Sequence, residues 1–173
     1  ARALVASGVP AADAVKAIEF RVTANADQFL VIARLRALRR LWARVGEVLE
    51  VPAIATQHAV TSYRMITRDD PWVNLLRGTI ATFGAAVGGA ESITTLPFDT
   101  AQGLPNTLSR RMARNTQLVA AEESNLGRVE DPAGGSWYVE SLTNDVAQAA
   151  WARVQEIEAA GGFAAALAAG TVL

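Results

Sequence analysis

Hydrophobic and polar positions change their spacing several times along this chain. Ala17 to Thr23 (Ala-Ile-Glu-Phe-Arg-Val-Thr) alternates with a period of two, which predicts a half-buried strand. Asn25 and Asp27 follow with N-cap chemistry. From there to about Leu49 the apolar residues Val31, Leu35, Leu38, Trp42, Val45 and Leu49 recur three and four apart. Arg36, Arg40, Arg44 and Glu47 fall opposite them, so one amphipathic helix is predicted. Val51 to Ala55 is a short apolar run that reads as a buried strand. It delivers Thr56, Gln57 and His58 to its end, before a polar loop with Thr61, Ser62, Tyr63 and Arg64.

A second helix opens with Asp70 as cap and Pro71 in its first turn, turns Val73, Leu76, Ile80 and Phe83 inward, and stops at Gly88-Gly89. Ser92 to Leu96 is a third strand. Asn106 or Thr107 starts a helix running to about Ser124, and 128–135 is loop with room for a short strand. Asn144 to Ala160 is a final amphipathic helix, separated by Gly161-Gly162 from a short Ala-rich one. The first 16 residues read as a helix tail, a turn at Gly8-Val9-Pro10 and a short helical turn. Three strand–helix alternations with short connections predict an α/β fold with a parallel sheet. An open doubly wound sheet and part of a (β/α)8 barrel both satisfy the pattern. A whole barrel takes roughly 250 residues, so 173 residues would form part of one, and periodicity alone does not decide between the two. In either architecture the C-terminal strand ends carry the chemistry, which directs attention to His58.

Composition narrows the function classes. Hydrophobic residues make up 51%, high for a freestanding monomer, so surfaces covered by further protein are expected. The opening Ala1-Arg2-Ala3-Leu4-Val5 resembles the middle of a helix, which suggests a fragment. A net charge of −1 gives no bias toward nucleic acid or an anionic membrane. With no cysteine there is neither a disulfide nor a thiolate nucleophile, which fits a cytoplasmic protein, and one histidine supports no metal site. Lys16 is the sole lysine, which argues against Schiff-base chemistry or a P-loop lysine. The apolar stretches 78–90 and 161–173 fall short of the ~18–20 residues that span a bilayer.

Each candidate has a plain structural reading beside the functional one. His58 titrates near neutrality and can act as acid or hydrogen-bond donor, or its ring can simply be satisfied by a neighbour. Glu122 and Glu123 are adjacent in a helix, diverge by about 100°, and read as a solvated helix end rather than a carboxylate pair. Arg110-Arg111 and Arg114-Asn115 could hold phosphates, but a solvated or partner-facing stripe is the simpler account. Gly88-Gly89 and Gly134-Gly135 are turns, not a dinucleotide fingerprint. Trp42, Trp72, Trp137 and Trp151 are assigned to the core.

Several blocks, in order and at matching spacing, resemble the methylmalonyl-CoA mutase family. They are Phe29–Trp42 (FLVIARLRALRRLW), the His58 stretch with Asp70-Pro71-Trp72-Val73-Asn74, Gly88–Pro105 (GGAESITTLPFDTAQGLP), Ala113–Glu123 (ARNTQLVAAEE) and Asp131–Glu140 (DPAGGSWYVE). The resemblance implies the second half of a substrate-binding TIM barrel over 1–135 and the helices that follow it over 136–173. It also implies interconversion of methylmalonyl-CoA and succinyl-CoA by radicals from adenosylcobalamin, the cofactor supplying the difficult chemistry. By the same resemblance, the histidine at the position of His58 donates a hydrogen bond to the substrate thioester carbonyl.

The departures from the family pattern carry equal weight. Catalytic chains read Arg-Thr-His-Cys-Gln-Thr-Ser-Gly-Trp where this chain has Thr56-Gln57-His58-Ala59-Val60-Thr61-Ser62-Tyr63-Arg64. The Gln, His and Asn of the cofactor-facing Thr-Gln-Ser-Leu-His-Thr-Asn segment are Glu91, Thr94 and Leu96 here, and Glu-Ile-Ala-Lys is Val31-Ile32-Ala33-Arg34. The resemblance is therefore to the small (β) subunit of heterodimeric members, which keeps the fold, pairs with a catalytic large subunit and is not expected to bind adenosylcobalamin itself. The competing expectation is a catalytic acyl-CoA mutase barrel of altered specificity, because His58, Asn115, Gln117 and Glu123 are retained. His58 is the candidate catalytic residue. Thr56, Ser62, Glu91, Thr94, Asn115, Gln117 and Glu123 are the candidates that face substrate or cofactor.

Overall fold

The structure, a computed structural model, describes residues 1–172. Two short helices, α1 (Arg2–Ala6) and α2 (Ala11–Lys16), precede strand β1 (Glu19–Ala24). Helix α3 (Gln28–Val48) leads to β2 (Thr56–Thr61), and α4 (Pro71–Val87) leads to β3 (Ser92–Thr94). Helix α5 (Thr107–Leu118) runs on into a π-helical turn at Val119–Glu123, and α6 (Trp137–Ala159) and α7 (Phe163–Ala168) close the chain. The strands pair in parallel in the order β1-β2-β3, with Arg21 opposite His58 and His58 opposite Ser92. This is an α/β fold on a parallel sheet, as the alternation predicts.

Local chemistry explains α3. The Asp27 carboxylate accepts from Leu30 N at 3.2 Å, which caps the first turn. Val31, Leu35 and Trp42 are buried as expected. Gly46 lets the helix end lie against the returning chain, since a Cβ there would stand 2.5 Å from Ala53 Cβ. The core joins Ala24, Val31, Leu35, Ala59, Ala81 and Ala85, so α3 and α4 pack on one face of the sheet.

The second strand differs from the sequence reading. Residues 51–55 approach the sheet without strand structure, and β2 begins at Thr56. Its helix-facing positions are Gln57, Ala59 and Thr61, all buried, and two of them are polar. Gln57 Nε2 donates to Leu35 O at 3.2 Å, and Thr61 Oγ1 accepts from Leu96 N at 2.8 Å. Polar groups buried and partnered in this way, through Gln57 Nε2 and Thr61 Oγ1, leave no hydropathy signal, while Gln57 Oε1 has no partner among the described residues. His58 is consequently the third residue of the strand and not its end.

Helix α4 also turns differently. It buries Asn74, Gly78, Ala81, Thr82 and Ala85, while Leu76 is 62% and Phe83 38% exposed. The small residues bring the helix close to its neighbours: a Cβ on Gly88 would meet Leu35 Cδ1 at 2.7 Å. Trp72 and Trp137 lie largely outside the core, at 59% and 92% exposed, and Trp151 is only half-buried; of the four tryptophans Trp42 is buried as expected. The 128–135 segment is a set of turns without a strand. Helix α6 starts seven residues before Asn144, because Glu140 in its first turn accepts from Gly135 N at 3.0 Å and favours the helix N-terminus.

Candidate functional site

With the helices on one face, the register assigns eight residues to the other. Seven of the eight are polar: Glu19, Arg21, Thr23, Thr56, His58, Ser92 and Thr94, with Val60 the exception. The helix-packed face carries Phe20, Val22, Ala24, Ala59 and Ile93 beside Gln57 and Thr61, so polar residues concentrate on the open face.

His58 sits near the middle of it and bridges two strands. Its Nδ1 lies 2.6 Å from Ser92 Oγ, and its Nε2 lies 3.1 Å from Thr94 Oγ1. A neutral imidazole has one donor and one acceptor nitrogen, and a hydroxyl serves either role, so both nitrogens are satisfied within the sheet. The ring is thus held by neighbours. Ser92, its nearer partner, is a site residue that sequence reasoning did not single out. It stands 34 positions away, and only the β2–β3 register brings it there.

The other candidates separate into groups. Thr56 shares the open face at the start of β2, and Ser62 lies past the end of β2, where its N–H donates to Ala24 O at 2.6 Å. Glu91 precedes β3 at the opposite end of the sheet, and its Oε2 accepts from Gln57 N at 2.6 Å. Glu91 and Gln117 line a cleft of about 490 Å³ between α4, the start of β3 and the π-helical turn. Asn115 and Glu123 are exposed on α5 and that turn. Among the described residues no hydrogen bond joins Asn115, Gln117 or Glu123 to the His58 group.

The strongest charge cluster lies elsewhere, on α3. Arg36 Nε and Nη2 donate to the two oxygens of Asp131 at 2.9 and 2.8 Å, and Nη2 also donates to Glu140 Oε1 at 2.7 Å. These bonds, Asp131 first and Glu140 second, raise the guanidinium pKa further above its ordinary value. Arg36, and after it the Gly135 N–H, hold the Glu140 carboxyl below the usual glutamate range. Burial pushes the half-buried Arg39 guanidinium down, and it donates to Gly88 O at 2.7 Å.

Comparison with known proteins gives this geometry a lineage. The family model described as methylmalonyl-CoA mutase matches residues 1–173. The chain belongs to the methylmalonyl-CoA mutase family. A methylmalonyl-CoA mutase small subunit from Propionibacterium freudenreichii subsp. shermanii is 61% identical over 170 residues, covering 96% of this chain and 27% of that protein. The small subunit from Streptomyces virginiae is 58% identical over 173 residues, covering 99% of this chain and 28% of that protein. The methylmalonyl-CoA mutase of Escherichia coli (strain K12) is 40% identical over 174 residues, covering 98% of this chain and 24% of that protein. The chain therefore spans about a quarter of the length of these curated mutase relatives.

Proposed function

We propose that this chain is a segment of the small subunit of an adenosylcobalamin-dependent methylmalonyl-CoA mutase, a cytoplasmic enzyme that interconverts methylmalonyl-CoA and succinyl-CoA. The segment is the second half of the TIM barrel, residues 1–135, with the helices that follow it, residues 136–173. It pairs with a catalytic large subunit and carries no chemistry of its own. The observation that carries this reading is the difference in identity: 61% and 58% to proteins named small subunit, against 40% to one named mutase without that qualifier.

The site supports the same division of labour. In the family the cofactor supplies the radical chemistry when bound. Cobalt ligation or hydrogen bonding to a thioester needs an imidazole nitrogen directed at the ligand, and both nitrogens of the only histidine are taken by Ser92 and Thr94. The residues of this chain do not fit a cobalt ligand, and no step is assigned to them through that group. What they do is hold the sheet: His58 ties β2 to β3, and Thr61 receives the Leu96 N–H at its end. Among the described residues no helix is long and apolar enough to cross a membrane.

A second reading keeps this barrel catalytic, as an acyl-CoA mutase of altered specificity with His58 as donor. It is favoured by the polar open face that surrounds His58. Turnover by the native complex separates the two. With His58→Ala in the full-length chain and assembly intact, unchanged mutase turnover supports the scaffold reading. A loss of about 10²-fold or more, the scale of acid–base catalysis, gives the chemistry to this barrel.

A further inference from the structure

Helix α4 is uncharged on both sides. Its inward side is buried, and its outward side presents Trp72, Leu76, Thr79 and Phe83, spaced four and three apart and all exposed. Arg77, the only charged residue among its 17, is partly buried and donates from Nη1 to Met65 O at 2.9 Å. Helix α3, on the same face of the sheet, has six charged residues among its 21. A helix that meets water carries charge on its outer side, and one that is apolar all round is a buried helix.

Further strand–helix units of a barrel do not account for this side. They extend the sheet at its edges, β1 and β3, whereas α4 is already flanked by α3 and α5 within the helix layer. What covers its outward side comes from beyond that layer.

The make-up of the face is that of an interface core, aromatic and without charge. Trp72 stacks on the buried Phe98 with ring centroids 4.9 Å apart and 27° between planes. Its ring is therefore held before any partner arrives, as in a hot-spot anchor. At the far end of α4 the face reaches α3 and α6. Gly84, next to Phe83, would set a Cβ 3.3 Å from Cα of Gln28, next to Phe29. Phe29 and Tyr138, both exposed, meet edge to face at 5.3 Å. At about 150–250 Å² for each large side chain, Trp72, Leu76, Phe83, Phe29 and Tyr138 at their exposures offer on the order of 500 Å². A standard interface takes about 800 Å² from each partner, roughly 60% of it apolar. The two areas agree.

We propose that the outward face of α4 is where the catalytic large subunit docks, setting an uncharged apolar surface of its own against Trp72, Leu76 and Phe83. The inference rests on the small-subunit reading and gives that pairing its surface.

Analytical ultracentrifugation of the full-length chain with its large subunit tests it. Leu76→Arg and Thr79→Arg each place an unpaired charge at the centre of the face, at positions where the chain alone leaves room for it. Each is expected to raise the dissociation constant at least about 100-fold, with the melting temperature of the isolated full-length chain unchanged. Val154→Arg, exposed on α6 and outside the face, leaves the constant as it was. An unchanged dissociation constant in either α4 variant would overturn the proposal. A fall in melting temperature of the isolated chain in both variants would assign the face to another domain of the same chain and also overturn it. Self-association of the isolated chain that Thr79→Arg abolishes would give the face to a second copy instead. Failure of the unmodified chain to pair with a large subunit at all would refute the small-subunit reading, and the interface with it.

Discussion

His58 Nδ1 and Ser92 Oγ lie 2.6 Å apart across the β2–β3 pair, so the only imidazole of the chain is a cross-strand tie. Ser92→Ala leaves Nδ1 without its partner and Nε2 bonded to Thr94. The bond is exposed, and the expected loss of stability is up to about 1 kcal/mol. Imidazole nitrogen shifts measured by NMR are expected to change in Ser92→Ala and again in Thr94→Ala. Identical shifts in all three proteins would mean that the ring is not held by these hydroxyls.

Asn74 is the most heavily used buried amide. Its Oδ1 accepts from Thr67 N at 2.9 Å, and its Nδ2 donates to Thr67 O at 2.7 Å and to Phe98 O at 2.9 Å. It is 1% exposed and ties the segments after β2 and β3 to α4. Asn74→Ala is expected to cost about 2–4 kcal/mol, because it strands buried backbone groups. Asn74→Asp is expected to cost more, since it sets a carboxylate against two carbonyl oxygens. Denaturant unfolding of both variants provides the comparison, and a milder effect from aspartate would contradict it.

Gly46 is required by contact and not by φ. An added Cβ meets Ala53 Cβ at 2.5 Å and Val51 O at 2.7 Å. Helix propensity favours alanine over glycine by about 1 kcal/mol, while overpacking costs about 1–3 kcal/mol or more. Both contacts are tight and one is with backbone, so Gly46→Ala is expected to lower the melting temperature. A rise in Tm would show that residues 51–53 give way freely.

The Glu140 carboxyl is held below its ordinary range by Arg36 and by Gly135 N–H. Its contribution is present above the unfolded-state value of about 4.3 and is lost as pH falls through the lower folded value. Docking of α6 is therefore expected to weaken as the solution is acidified below that range. Glu140→Gln removes this component of the acid response. The Val139 methyl resonances, followed from neutral pH downward in both proteins, report it, and superimposable titrations would refute the assignment.

Much of the architecture was legible because it is local. The Asp27 cap and the spacing of Val31, Leu35 and Trp42 locate α3 within a residue or two of Gln28–Val48, since caps and apolar stripes act within a few turns. The strand–helix alternation likewise points to the parallel sheet. Family membership was also readable, because blocks of residues in a fixed order survive in a linear string.

Other features depend on residues far apart in the chain, and only the tertiary structure decides them. Hydropathy places β2 five residues early because its buried side is Gln57, Ala59 and Thr61, of which Gln57 Nε2 and Thr61 Oγ1 find partners on α3 and at Leu96. The apolar spacing points to the wrong inward face of α4, because close approach selects Gly78, Ala81 and Ala85 over Leu76 and Phe83. Arg36 reads as a solvent-facing arginine, yet its partner Asp131 lies 95 positions on. The environment of His58 was equally hidden, for its two hydroxyl partners lie 34 and 36 positions away. Sequence by itself determines propensity, period and kinship, which are short-range or inherited in order. Which polar groups meet, and which apolar faces stay open, is settled by the competition among distant segments for the same volume.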